Sequence, residues 1–436
     1  MGALGVMATA GARWRDTARS APDGLRRLAG GLSVTLVGQG LSLCGLLLIT
    51  RVSATAFGAV GFGEYQVARR TLAAVSFPLL CGVGVSMPRY VARSISDRRE
   101  VATWLLSGGI LAAMLAAVFL GLGAWRSADI SRWAFGIDGD RGLVLSLLLA
   151  VAGQMCCTVA YAAMRGLSRF RSAAALQVAG GVLAPLTGVL LAGGRVERAL
   201  GIAGGLWIAI GCCVFVRTCW QWARPAPSAM DVRRAIWPLF VFGTPRVPGD
   251  VALFGLFALP AFAAVHRNDV VGAGFLSVGL SLVQAIAMVF ASAGFVLLPY
   301  WSRAATSAET RLVARKRIGM LVIASGLLTA VALVLLQVSL RPVARLLLGS
   351  LAEAGLNDMR YVTLGSLPYV IYLVLRDYFD AISAVPMNTV ALTAAIAIQA
   401  VLLSGRWASV PVATAGGFFA LGLMMVLLWI GSMARS

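Results

Sequence analysis

Apolar runs of about twenty residues recur along the whole chain, from GGLSVTLVGQGLSLCGLLLIT at residues 30–50 to ATAGGFFALGLMMVLLWI at 413–430. A bilayer core of about 30 Å requires roughly that length of helix. Twelve such spans can be drawn, at 28–50, 62–92, 101–124, 142–164, 172–192, 199–220, 235–262, 270–302, 312–340, 358–379, 389–404 and 409–431. No gap between them is long enough for a soluble domain. Composition agrees: 59% of residues are hydrophobic and 12% charged, against about 25% charged in soluble proteins. The expected fold class is an all-α polytopic membrane protein with about twelve transmembrane helices.

The net charge of +20 is spread between the spans and not gathered on one soluble face, so no nucleic-acid partner is expected. It reads as a topology signal. Connections on the side of the N-terminus carry 22 basic residues against 11 on the other side, with Arg69, Arg70, Arg246 and Arg376 left inside spans. The positive-inside rule then places both termini in the cytoplasm. The N-terminal basic cluster follows a mildly apolar stretch, the wrong order for a secretory signal. All seven cysteines lie in or beside apolar runs and read as reduced packing residues.

The segment WQWARPAPSAMDVRR, residues 220–234, divides the spans into two sets of six. The expected organisation is a cytoplasmic basic tail (1–27), a first bundle (28–222), a cytoplasmic linker (223–234), a second bundle (235–431) and a short cytoplasmic tail (432–436). An offset of 211 positions aligns Val60 with Val271, Gly61 with Gly272, Gly63 with Gly274, Val67 with Val278, Val85 with Val296 and Pro88 with Pro299. Span two therefore repeats as span eight, in the same orientation, as in transporters built from parallel repeats.

Charges inside spans are functional candidates, because an arginine at the membrane centre costs about 2.5–3.5 kcal/mol on insertion scales. Arg69 and Arg70 open span two and either snorkel to the outer interface or face a cavity; the equivalent Leu280 and Ser281 lie well inside span eight, which favours the cavity. Arg246 and Asp250, four residues apart in span seven, share a helical face and can pair. Gly243, Pro245, Pro248 and Gly249 around them point to a broken helix, which membranes tolerate only in protein or beside a water-filled cavity. Glu64 is an interfacial residue or an ion-coupling partner of the arginines. Arg376, Asp377 and Asp380 close span ten on the cytoplasmic side as secondary candidates. Gln39, Gln154 and Gln284 are expected to bond between helices, and His266, the only histidine, to lie in an outer loop. A lone histidine leaves no zinc cluster and there is no phosphate-binding loop for ATP, so neither metal, cofactor nor catalytic residue is expected.

Five segments carry a resemblance: FGAVGFGEYQVARRTLAAVSF with the following GVGVSMPRYVARSISDRRE, YAAMRGLSRFRSAAALQ, PRVPGDVALFGLFALPAF and LPYVIYLVLRDYFDAISAVPMNT. They resemble polysaccharide-exporting flippases of the multidrug/oligosaccharidyl-lipid/polysaccharide (MOP) superfamily. The resemblance implies two six-helix bundles around a central cavity in a MATE-like fold. It also implies alternating access that moves lipid-linked oligosaccharides outward for surface polysaccharide synthesis, alongside a polymerase and glycosyltransferases. On that reading Arg69, Arg70 and Arg246 would meet the substrate diphosphate, since arginine offers phosphate a fixed fork of donors. The alternatives are a MATE-type multidrug exporter, a lipid II flippase or, from another class, a polysaccharide polymerase or ligase.

Overall fold

In the computed structural model the described backbone covers residues 3–136, 140–222, 226–304, 308–382, 387–405 and 408–434. The described side chains lie within residues 37–290 and 317–432, excluding Asp377 and residues 380–386. The side chains of the N-terminal tail, of Asp377 and Asp380, and of the Val296 and Pro299 repeat positions lie outside the described residues.

Every described element is helical. In order they are α1 (Ala3–Leu79), α2 (Val83–Arg93), α3 (Arg98–Trp125), α4 (Ser127–Phe135), α5 (Arg141–Gly166), α6 (Phe170–Val178), α7 (Ala184–Leu191), α8 (Val196–Trp222), α9 (Ala229–Gly243), α10 (Val247–Val265), α11 (Val270–Ala304), α12 (Ala308–Leu348), α13 (Ala352–Thr363), α14 (Ser366–Ile382), α15 (Met387–Ser404) and α16 (Val410–Ala434). Ten stretches of described helix are long and apolar enough to cross a membrane. Two of them contain two passes each, which makes twelve.

The first double pass is α1. Its helix is interrupted at Gly58, whose φ of 67° and ψ of −172° are not helical. The rings of Phe57 and Tyr65 lie 5.4 Å apart, whereas eight residues of straight helix rise about 12 Å. The chain therefore doubles back at Gly58. The connection expected across residues 51–61 is almost entirely helical, since VSATAFGAV holds no proline to stop it. The second double pass is Arg317–Arg376, where α12 leads through α13 into α14 and Gln337 donates to Thr363 Oγ1 at 3.0 Å.

Three spans are broken, each for a local reason. Span two, expected as one helix over 62–92, stops at Leu79 and restarts as α2, with Cys81 and Gly82 at positive φ. Gly82 packs backbone to backbone on Gly243 and leaves no room for a side chain. Span five passes through a π turn at Ala179–Leu183 ahead of Pro185, whose missing N–H disrupts the regular ladder. Span seven passes through a 3-10 turn at Thr244–Arg246, between Gly243 and Pro248.

Two short helices were not expected as separate elements. α4 follows span three and α13 follows span nine, the same place in each half, and both carry charged residues on one face. Arg126 and Arg132 pair with Asp129 on α4 and hold its carboxyl below the usual range. Span ten, expected from residue 358, starts at Ser366, because residues 358–363 belong to α13.

Packing follows membrane rules. α5 and α8 meet through Gly153, Gly204 and Gly211, each set against neighbouring backbone, as expected where small residues let helices approach. The outside of α12 is apolar, with Val338 82% exposed. That surface suits lipid, since a patch of this kind is a liability in water. Spans two and eight link the halves closely, where Gly274 packs on the Gly63 Cα and on Phe62. α9 packs on α2 and α3, with Arg99 paired to Asp231 at 3.0 Å and Ser107 bonded to the Val232 carbonyl. The chain joins the helices of the second half only after the 3-10 turn.

Candidate functional site

Arg70 lies two turns along span two from the Gly63–Gly274 contact and is 8% exposed. Its guanidinium crosses to α11, donating to the Ser277 carbonyl, to Ser281 Oγ at 2.9 Å and to Gln284 Oε1 at 3.3 Å. Every acceptor is neutral. Arg69, partly buried, donates to Gln66 Oε1 at 3.3 Å and lies 5.9 Å from the centre of the Tyr65 ring. Neither arginine makes an ion pair among the described residues.

These side chains border a cavity of about 180 Å³ lined by Leu46, Gln66, Arg69, Arg70, Ala73, Phe254, Phe257, Ser281 and Gln284. The lining contains no carboxylate. Gln66 uses its amide oxygen on Arg69, and its Nε2 is buried without a partner among the described residues. The wall thus combines two arginine charges with an unused amide donor. All three groups donate hydrogen bonds and none can accept one.

Towards the side of the N-terminus, Phe77 and Phe254 stack with centres 4.7 Å apart and planes within 4°. Phe77 belongs to span two and Phe254, which lines the cavity, to span seven, so the pair bridges the halves beside it. One helical turn below Phe254 a second group of charges begins. Asp250 lies within the field of Arg376 and Arg246. Arg246 and Arg89 both lie over the Phe242 ring, at 4.1 and 4.2 Å.

The expected Arg246–Asp250 pair is not formed among the described residues. The 3-10 turn breaks the α-helical register, and Arg246 donates instead to the Phe242 carbonyl at 2.8 Å. Arg376, expected as an end-of-span residue, is the charge that α14 brings towards Asp250. Glu64 lies about a turn and a half before Arg69 on span two, and the charge acting on it is not an arginine but Asp140, the N-cap of α5. Gln284 bonds between helices as expected. Gln66, the two phenylalanines and Arg89 were not singled out in the sequence, although the 211 offset already set Ser281 against Arg70.

No protein-family model and no curated protein matches the chain. Solved structures do. The chain is similar to the lipid II flippase MurJ in an inward closed conformation, with a TM-score of 0.72, 14% identity and coverage of 92% of this chain and 87% of that one. It is similar to a MATE-family multidrug resistance transporter of the MOP superfamily facing inward (TM-score 0.66, 12% identity, 93% and 94% covered). An outward-facing MATE structure aligns with a TM-score of 0.61, 12% identity and 93% and 95% covered. The fold is that of the MATE and MurJ transporters. With its ten membrane-capable stretches, the chain is a multi-pass membrane protein.

Proposed function

We propose that the protein is a flippase that carries polyprenyl-diphosphate-linked oligosaccharide from the inner to the outer leaflet of the bacterial cytoplasmic membrane, for surface polysaccharide synthesis. The observation that carries this reading is the pair Arg69 and Arg70, which faces a cavity without a carboxylate and has only neutral partners. A diphosphate supplies the missing negative charge. A cation exporter would need acidic groups in this wall, so the MATE-type drug-export reading is the weaker one.

In this reading Arg246, Arg89 and Arg376 attract the diphosphate at the cytoplasmic end, with Asp250 moderating their charge. The Phe77–Phe254 pair separates this vestibule from the Arg69–Arg70 wall. The present cavity lies below the roughly 300 Å³ at which ordinary ligand pockets begin, so the halves must part to admit a sugar head. We place the moving boundary at the 3-10 turn of residues 244–246, later than residue 235, because α9 stays with α2 and α3. An inside-negative potential favours outward movement of an anion by about 2.3 kcal/mol per charge per 100 mV, or about 4.6 kcal/mol for two charges. Polymerase and glycosyltransferase partners belong to this proposal.

Fold likeness to a lipid II flippase favours a second cargo with the same diphosphate, lipid II itself. Deleting the gene separates the two. Loss of surface polysaccharide with lipid-linked oligosaccharide held on the inner leaflet supports the first cargo, whereas arrested wall synthesis with intact polysaccharide supports the second.

A further inference from the structure

A second cationic groove lies away from the central cavity, on the lipid-facing side of the first half. α6 and α8 border it, and it measures about 470 Å³, with Arg169, Ser172, Ile210, Val214, Arg217 and Gln221 in its lining. It shares Arg217 and Gln221 with a shallower apolar groove of about 850 Å³ that runs along α8 past Cys212, Cys213, Val216 and Trp220. The polar end is built: Arg169 donates to Gln221 Oε1 at 2.7 Å, and Arg98 donates to the Gln221 carbonyl at 2.7 Å and stands over the Trp222 ring. Arg217 has no partner among the described residues, and neither lining includes a carboxylate.

Position and chemistry together select the occupant. Trp220, 70% exposed, and Trp222 stand at the level of these arginines, where tryptophans mark the headgroup zone of a bilayer. Beyond that level α8 offers only apolar surface, with Val216 61% exposed. An aqueous anion would use the arginines and leave the apolar groove unused; a zwitterionic lipid would set its cationic group against two arginines. We propose that this groove holds an anionic phospholipid, with its phosphate between Arg169 and Arg217 and an acyl chain along α8. The site then tethers α6 to α8 and makes the stability of the first half depend on lipid charge.

The test is native mass spectrometry of the full-length protein in detergent, titrated with phosphatidylglycerol, phosphatidylcholine or inorganic phosphate. The wild type is expected to retain phosphatidylglycerol in preference to phosphatidylcholine. At about 1 kcal/mol per arginine, Arg217→Gln should weaken retention about fivefold and Arg169→Gln with Arg217→Gln about thirtyfold. Arg217 has no partner among the described residues, so its single variant tests the site even if loss of the Arg169–Gln221 bond unfolds the double variant. Equal retention of the two lipids, unchanged retention by Arg217→Gln, or full displacement of the lipid by equimolar phosphate each overturns the proposal.

Discussion

Arg70 donates a hydrogen bond to Ser281 at 2.9 Å, and the two residues are 211 positions apart. That separation is the offset of the internal repeat, so Arg70 is bonded to its own counterpart in the other half. Gly63 and Gly274, also 211 apart, touch two helical turns, about 10 Å, away. The axis relating the halves therefore passes between spans two and eight, and one copy of each pair can be specialised while the other remains its partner.

This geometry predicts the effect of changing Ser281. Ser281→Asp would give Arg70 a carboxylate partner and hold the halves together. Thermal unfolding in detergent should shift upward while polysaccharide export falls at least tenfold. Ser281→Ala should cost about 1 kcal/mol, and its effect should not add to that of Arg70→Ala, because both remove the Arg70–Ser281 bond. Additive losses would contradict the shared bond.

The Phe77–Phe254 stack should control access to the cavity. In a variant free of native cysteines, Ala73→Cys is expected to react slowly with a membrane-impermeant thiol reagent applied from the side of the N-terminus. Adding Phe77→Ala and Phe254→Ala should speed the reaction severalfold. Both rings are only partly buried, and the rate is compared in protein that remains monodisperse on size-exclusion chromatography. An unchanged labelling rate would show that the stack is not the barrier.

The break in span two makes Gly82 hard to replace. Its φ is 74° and its Cα hydrogens face the Gly243 backbone. Gly82→Ala should cost well over about 1 kcal/mol and sharply reduce folded protein on size-exclusion chromatography. Gly121→Ala, with open space around it, should behave as wild type.

Asp250 offers a charge-balance test. Asp250→Asn should reduce folded yield by leaving the neighbouring arginine charges unopposed, and adding Arg376→Gln should restore it. Adding Lys in place of Arg376 should not. If Arg376→Gln fails to rescue, the two charges do not act on each other.

The twelve passes were readable because a bilayer imposes one length on every helix. The breaks were readable only where sequence marks them: GTPRVPG announces the turn at residues 244–246, whereas Gly58 and Cys81–Gly82 sit among ordinary helix formers. Whether Arg70 snorkels could not be settled from spacing to Arg89, since the helix between them is interrupted. The repeat carried the better signal, placing Ser281 opposite Arg70. Gln66 and the phenylalanine pair left no trace in composition, because a glutamine or aromatic in a membrane helix serves packing as often as a cavity. α4 and α13 were missed because short amphipathic helices lack the apolar length that reveals a span.

On the proposed reading Arg69 and Arg70 form the anion-binding wall of a lipid-diphosphate flippase. The direct measurement is outward movement of polyprenyl-diphosphate oligosaccharide in proteoliposomes, read by a membrane-impermeant glycosidase or lectin. Wild type should expose the sugar, and Arg69→Gln with Arg70→Gln should slow exposure at least tenfold in protein that unfolds cooperatively. Exposure at the wild-type rate by that double variant would contradict the account.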